Sequence, residues 1–290
     1  MNAELLRRFR LIADQLPGGV EAFFALDATR TRVCDRISKK LARQTNLFIF
    51  SREILSKLPY RRAREEWRGR SVVPGLQDLV PQLFRRLNPE FDYIYFVEYD
   101  ILYTGEWKNF FAHFQESDAS FLTTSIAPKS EVPVWEHFAT FQPDRPLPET
   151  HIIRGFMPIC RYSTEGLLAL EERYRRGWRG HHEVLVPTAI LDAGLKLEDF
   201  GGDGSFVRKG NENRFYTSSR LAENFAPGSF VFIPGPSEVP RDRPVLMHPC
   251  KTSLGLDLRT LIDLIFTGRH DVASTLSKCL SDPRVSATRS

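Results

Sequence analysis

Apolar and polar positions follow two periods along this chain, and the switches between them mark its elements. Between residues 3 and 16, Leu5, Leu6, Phe9, Ile12, Ala13 and Leu16 recur at helical spacing, with Arg7, Arg8, Arg10 and Asp14 on the other face. That pattern predicts an amphipathic helix. Pro17-Gly18-Gly19 stops it, and Val20 to Asp27 reads as a strand closing on an acid. A charged helix over 30–44 and an apolar strand over Asn46–Phe50 repeat the rhythm. Pro74 opens a helix with Leu76, Leu79, Val80, Leu83, Phe84 and Leu87 on one side, and Asn88-Pro89 closes it. Tyr93 to Val97, aromatic and β-branched, suits a strand buried on both faces.

The second half continues the alternation. A helix is predicted over 106–116, a strand over 119–124, and a strand over 152–161 that Gly155 and Pro158 make bent or place at an edge. Ser163 is a fitting N-cap for a helix over 165–175, and a more apolar helix begins near His182 and Glu183. Phe230–Ile233 reads as a last strand, while Leu258, Leu261, Ile262, Ile265 and Phe266 predict a terminal helix. Strand-helix-strand units build parallel sheets, so the expected fold is one α/β domain over 1–281 with a disordered polar tail over 282–290. From Pro128 to Pro148 no period survives, and irregular stretches of that length, here with Trp135 and His137, are often functional loops.

Composition narrows the class. With 290 residues, 42% hydrophobic and 26% charged, the chain can bury a core without staples. Its formal charge of +4 favours anionic small molecules or acidic surfaces without calling for a nucleic acid. Cys34, Cys160, Cys250 and Cys279 form no C-x-x-C pair, which indicates neither a zinc site nor a disulfide framework and suits a reducing cytoplasm. No apolar run approaches the roughly 20 residues that cross a bilayer, and no signal peptide is recognisable. The most basic stretch, Arg61 to Arg70, is interrupted by Glu65 and Glu66 and reads first as a solvated face.

The chemistry gathers where the Tyr93–Val97 strand ends. Side chains two apart on a strand point the same way, so Glu98 and Asp100 can converge on one hard divalent cation and the phosphates it carries. Downstream, His181, His182 and Glu183 stand at a helix entrance, and His248 and Lys251 follow the apolar Val245–Met247.

In that order, Phe96-Val-Glu-Tyr-Asp-Ile-Leu-Tyr-Thr-Gly105, the His-His-Glu around position 182 and the late His-Pro-Cys-Lys resemble a glycosyltransferase of the GT-A fold over about residues 20–252. The resemblance implies a Rossmann-like, mostly parallel sheet flanked by helices, a nucleotide-sugar donor, a sugar-accepting glycan, lipid or small molecule, and a divalent metal, Mn²⁺ or Mg²⁺. Asp100 would ligate the metal, and Glu98, in the place of the first acid of a D-x-D, would act on it through water or on the ribose. His248 would be the third ligand and Lys251 would neutralise the diphosphate. Glu183 would deprotonate the acceptor hydroxyl or hold the donor sugar, with His182 as the alternative base. Asp27, at a strand's carboxyl end, would contact the nucleoside. Such proteins carry a strand ahead of the first helix, whereas this sequence opens on the helix: either it starts late relative to that family or the strand is absent, and in the second case donor binding is expected to be weak. A nucleotidyltransferase-like enzyme is a competing reading, although no Gly-rich phosphate loop opens the chain. A non-catalytic binder of the same fold is another.

Overall fold

The computed structural model describes residues 3–29, 35–65, 76–216 and 243–248, and the backbone of 262–268. Helix α1 (Ala3–Ala13) leads into β1 (Glu21–Asp27), α2 (Asp35–Ala42) and β2 (Asn46–Phe50). Two short helices, α3 (Arg52–Leu55) and α4 (Arg62–Glu65), precede α5 (Leu79–Leu87), β3 (Tyr93–Glu98) and β4 (Leu102–Tyr103). Helix α6 (Trp107–Gln115) and β5 (Phe121–Pro128) are followed by two 3₁₀ turns, Glu136–Thr140 and Glu149–His151. Then come β6 (Ile153–Ser163), α7 (Thr164–Arg175), α8 (His182–Asp192), β7 (Leu197–Asp199), β8 (Leu246–Met247) and β9 (Ile262–Gly268).

Seven strands form one sheet in the order β2-β1-β9-β3-β6-β5-β7. β1 pairs with β2, and β5 with β7, in parallel, while β6 and β9 run antiparallel to both neighbours. The sheet is therefore mixed, where alternation along the chain had suggested a mostly parallel one. Two further expectations change with it. β6, with Gly155 and Pro158, is an interior strand between β3 and β5, and its irregularity appears as register shifts opposite Leu122–Ala127. Residues 262–268, read from the sequence as helix, form a strand in the middle of the sheet. Ile262, Leu264, Ile265 and Phe266 make a short apolar run, and over such a length a strand cannot be told from a helix by period alone.

Side chains along the strands alternate between two cores. Ile94 and Phe96 of β3 join Phe84, Leu167, Leu185 and Ile190, from α5, α7 and α8. Tyr95 and Val97 join Phe9, Trp107, Phe110 and Phe114, from α1 and α6, on the opposite face. Helices thus cover both faces, which leaves the strand ends as the place where polar groups reach the surface of the layers. Ser163 caps α7 as expected, accepting the Gly166 N–H at 2.9 Å. Leu87 departs from its helix's apolar side and is exposed.

The basic segment is only partly a solvated face. Arg62 is fully buried, donating through Nε and Nη2 to Asp78 at 3.2 and 3.0 Å and through Nη1 to the Gly180 carbonyl at 2.6 Å. Residues 66–75, the Phe230–Ile233 strand, Lys251 and the 282–290 tail lie outside the described residues.

Candidate functional site

β1, β3 and β5 run in the same direction, so Asp27, Glu98 and the end of β5 share one edge of the sheet. Glu98 and Ala25 both sit opposite Asp263 of the strand between them, which brings Asp27 about level with Asp100. Two strand spacings, on the order of 10 Å, separate Asp27 from the acids. Asp27 is buried and its Oδ1 accepts the Thr29 N–H at 2.7 Å, so the strand ends in a side-chain-closed turn.

Past Glu98 the chain turns sharply, with the Ile101 N–H bonded to the Glu98 carbonyl at 3.1 Å. It then enters β4, whose partner β8 pairs Leu102 with Met247 and Tyr103 with Leu246. This small ribbon carries the residue after Met247 back to the acids. His248 Nε2 lies 3.5 Å from Asp100 Oδ1 and 3.6 Å from Glu98 Oε2. The Phe156 ring stands edge-on against the imidazole, 5.3 Å between centroids. On the outside, Arg8 of α1 donates to the Tyr99 carbonyl at 3.2 Å and pins the turn between the two acids.

These donors fit a small hard cation. One atom from each of Glu98, Asp100 and His248 lies within 4.8 Å of the others. Oxygen ligands at about 2.1 Å in an octahedron sit about 3 Å apart when adjacent and about 4.2 Å when opposite, so small side-chain movements close the group. At 3.5–3.6 Å the imidazole is too far from either carboxylate for a good hydrogen bond.

Glu183 approaches from α8. It is buried, and its Oε1 accepts the Met157 N–H at 3.3 Å, one residue from the Phe156 that backs His248. Burial, with Glu98 as a nearby like charge, pushes its carboxyl up to about 8. Without a cation it therefore carries its proton at neutral pH.

The ring beside Glu183 is His181 rather than His182. His181 Nδ1 accepts the Glu183 backbone N–H at 3.4 Å, capping α8, and lies 3.6 Å from Glu183 Oε2. Burial, with His182, His137 and Arg62 nearby, holds His181 down to about 2, so the ring is neutral. His182 is buried deeper and held well below the usual histidine range by burial and Arg62.

The approach to this cap is built from distant segments. Gly180 has φ +141°, and a Cβ there would meet the Phe141 Cα at 2.9 Å, so only glycine fits. The irregular 128–152 stretch folds over the same end, where Thr140 Oγ1 accepts the His181 N–H at 2.8 Å and His137 stacks on the His181 ring. Arg154 of β6 is another neighbour, its charge acting on Glu183 and its Nε buried with no hydrogen bond among the described residues. Sequence reading placed His137 in a candidate functional loop and His181 at the helix entrance but gave neither a role, and it passed over Arg154. His137 and His181 are 44 positions apart, and no local pattern announces that they meet.

Compared with known families, curated proteins and solved structures, the chain matches none.

Proposed function

We propose that the chain is a metal-dependent glycosyltransferase of GT-A-like fold that uses a nucleoside-diphosphate sugar. The observation that carries this reading is the meeting of His248 with Glu98 and Asp100, across some 150 residues, at the carboxyl end of an interior strand. Such an edge is where open α/β sheets take their ligands. Asp100 and His248 would hold a Mn²⁺ or Mg²⁺ ion, and Glu98 would complete the set directly or through water. The ion would supply positive charge for the diphosphate as it leaves the sugar.

The chain's own groups provide the rest of the chemistry. Phe156 and the buried wall beside it limit water at the His248 side. Arg154, next to Glu183, places a permanent cation at the same wall for an anionic group. Glu183 sits on the acceptor side. Protonated, it would donate a hydrogen bond to a sugar oxygen; deprotonated, it would take the proton of the acceptor hydroxyl. Asp27, at the nucleoside end, faces the start of β9 where a parallel strand would present its end. That difference bears on the nucleoside pocket rather than on the metal.

Release of nucleoside diphosphate from a panel of sugar nucleotides, with Mn²⁺ and with chelator, tests the proposal. Turnover is expected with Mn²⁺ only, and Asp100→Asn should lower it by more than about 100-fold, since even groups orienting a ligand are worth 10–100-fold. Turnover that survives both chelator and Asp100→Asn would rule the reading out.

A further inference from the structure

A second group of ligating side chains stands beside Glu183, and sugar transfer as proposed leaves most of it unused. His137 of the 3₁₀ turn, His181 at the α8 cap and Glu183 in its first turn each offer a donor atom within 4.8 Å of the others. The two imidazoles lie face to face, centroids 3.7 Å apart and 3° from parallel. Trp135 supports them edge-on, 5.0 Å from His137 and 6.4 Å from His181. Burial keeps both rings neutral, the state in which imidazole ligates. Arg62, the cation acting on His181, is committed to Asp78 and the Gly180 carbonyl. His181 Nδ1, which accepts the Glu183 backbone N–H, stops 3.6 Å from Glu183 Oε2, too far for a good hydrogen bond between the two side chains.

We propose that His137, His181 and Glu183 form a transition-metal site, distinct from the Glu98–Asp100–His248 group, that takes a borderline cation of the Zn²⁺ or Co²⁺ kind. The donor sets differ in the way that separates such ions. Two carboxylates and one imidazole suit Mn²⁺ or Mg²⁺, whereas two imidazoles and one carboxylate suit Zn²⁺, Co²⁺ or Fe²⁺. Three protein ligands leave a coordination position open to water or a substrate oxygen. Parallel rings point their in-plane lone pairs side by side, so one imidazole must turn out of the stack for both to reach one ion. Tetrahedral ligands at about 2.05 Å stand about 3.3 Å apart, and the three donor atoms already lie within 4.8 Å of one another. His137 has the room, being partly exposed on a short turn, and Glu136 Oε1, 3.9 Å from its Nε2, can orient it. Bound in this way, Glu183 is a ligand rather than a free acceptor-side acid. The inference itself does not depend on sugar transfer.

The test uses the full chain stripped of metal, titrated with Co²⁺ and followed by visible absorption. Zn²⁺ is measured by competition with a chromophoric chelator, and melting temperature is recorded throughout. Glu98→Gln/Asp100→Asn removes the first group; this variant is expected to keep one Co²⁺ per chain, with the bands of a low-coordinate, nitrogen-ligated ion. Adding His137→Ala, or separately Glu183→Gln, should weaken that binding at least tenfold, in line with loss of a metal ligand. Either of two results overturns the inference: no Co²⁺ bound by the folded Glu98→Gln/Asp100→Asn variant, or binding that His137→Ala and Glu183→Gln leave unchanged. Co²⁺ lost with the two acids but unaffected by His137→Ala leaves the sugar-transfer reading standing and sinks this one. Co²⁺ kept in a chain that turns over no sugar nucleotide does the reverse.

Discussion

Glu183 and His181, one turn-start apart, are shifted in opposite directions by the same burial, and that fixes how stability should depend on pH. The folded carboxyl is raised from 4.5 to about 8. Its contribution is complete below the unfolded value and is lost as pH rises toward 8, because the unfolded chain gives up the proton first. The folded imidazole is lowered from 6.5 to about 2, so its contribution is complete above 6.5 and is lost as pH falls. Between about 4.5 and 6.5 the two slopes cancel, and above 6.5 only the Glu183 loss remains. In chelator, Glu183→Gln should therefore gain on the wild type as pH rises, by about 3–5 kcal/mol in total at 1.36 kcal/mol per unit. Urea unfolding of both proteins from pH 4 to 9 measures it. Parallel curves would mean that Glu183 is not held protonated by the fold. At this scale the Glu98-x-Asp100 pair was legible, since neighbours on a strand end share a direction whatever the rest of the chain does. His181's part was not, because which of two adjacent histidines meets Glu183 depends on the helix phase.

The N-terminus of α8 owes its position to Arg62, an element-scale link between α4, α5 and the cap. Its guanidinium joins Asp78, at the start of α5, to the Gly180 carbonyl just before the cap, and the Tyr174 hydroxyl of α7 also donates to Asp78. Arg62→Leu would leave Asp78 buried and without its cation, which costs about 3–5 kcal/mol. Arg62→Leu/Asp78→Leu should recover part of that loss, with the Tyr174 hydroxyl and Gly180 carbonyl left short of a partner. Urea midpoints of the two variants decide it; equal stabilities would mean the pair is not coupled. Local charge counting placed Arg62 on a solvated face because its partners are 16 and 118 positions away. The helices α1, α5, α6 and α7 were readable for the converse reason, since their apolar faces and the Ser163 cap are written within a dozen residues. β6 was readable as a strand, but its interior place depends on β3 and β5 both finding it.

For the whole molecule, the decisive element is the one the sequence pattern misassigned. β1 and β2, with α1 and α2 between and before them, form one end of the sheet, and β3, β6, β5 and β7 form the other. β9 joins them, pairing with β1 from Glu21 to Leu26 on one side and with β3 from Tyr93 to Glu98 on the other. Two edges of unpaired backbone would otherwise face each other inside the protein, an arrangement that buried N–H and C=O groups do not tolerate. The candidate site inherits this dependence, because Asp27 stands on one end and Glu98, Asp100 and Glu183 on the other. A chain ending at residue 261 should therefore lose hydrogen-exchange protection along Glu21–Asp27 and Asn46–Phe50 while Phe121–Leu122 and Arg161–Tyr162, paired to each other, keep theirs. A chain ending at 281 should retain protection in both ends. Equal protection of β1 in the two truncations would show that the ends of the sheet meet without β9, and the long-range pairing assigned to 262–268 would have to be given up.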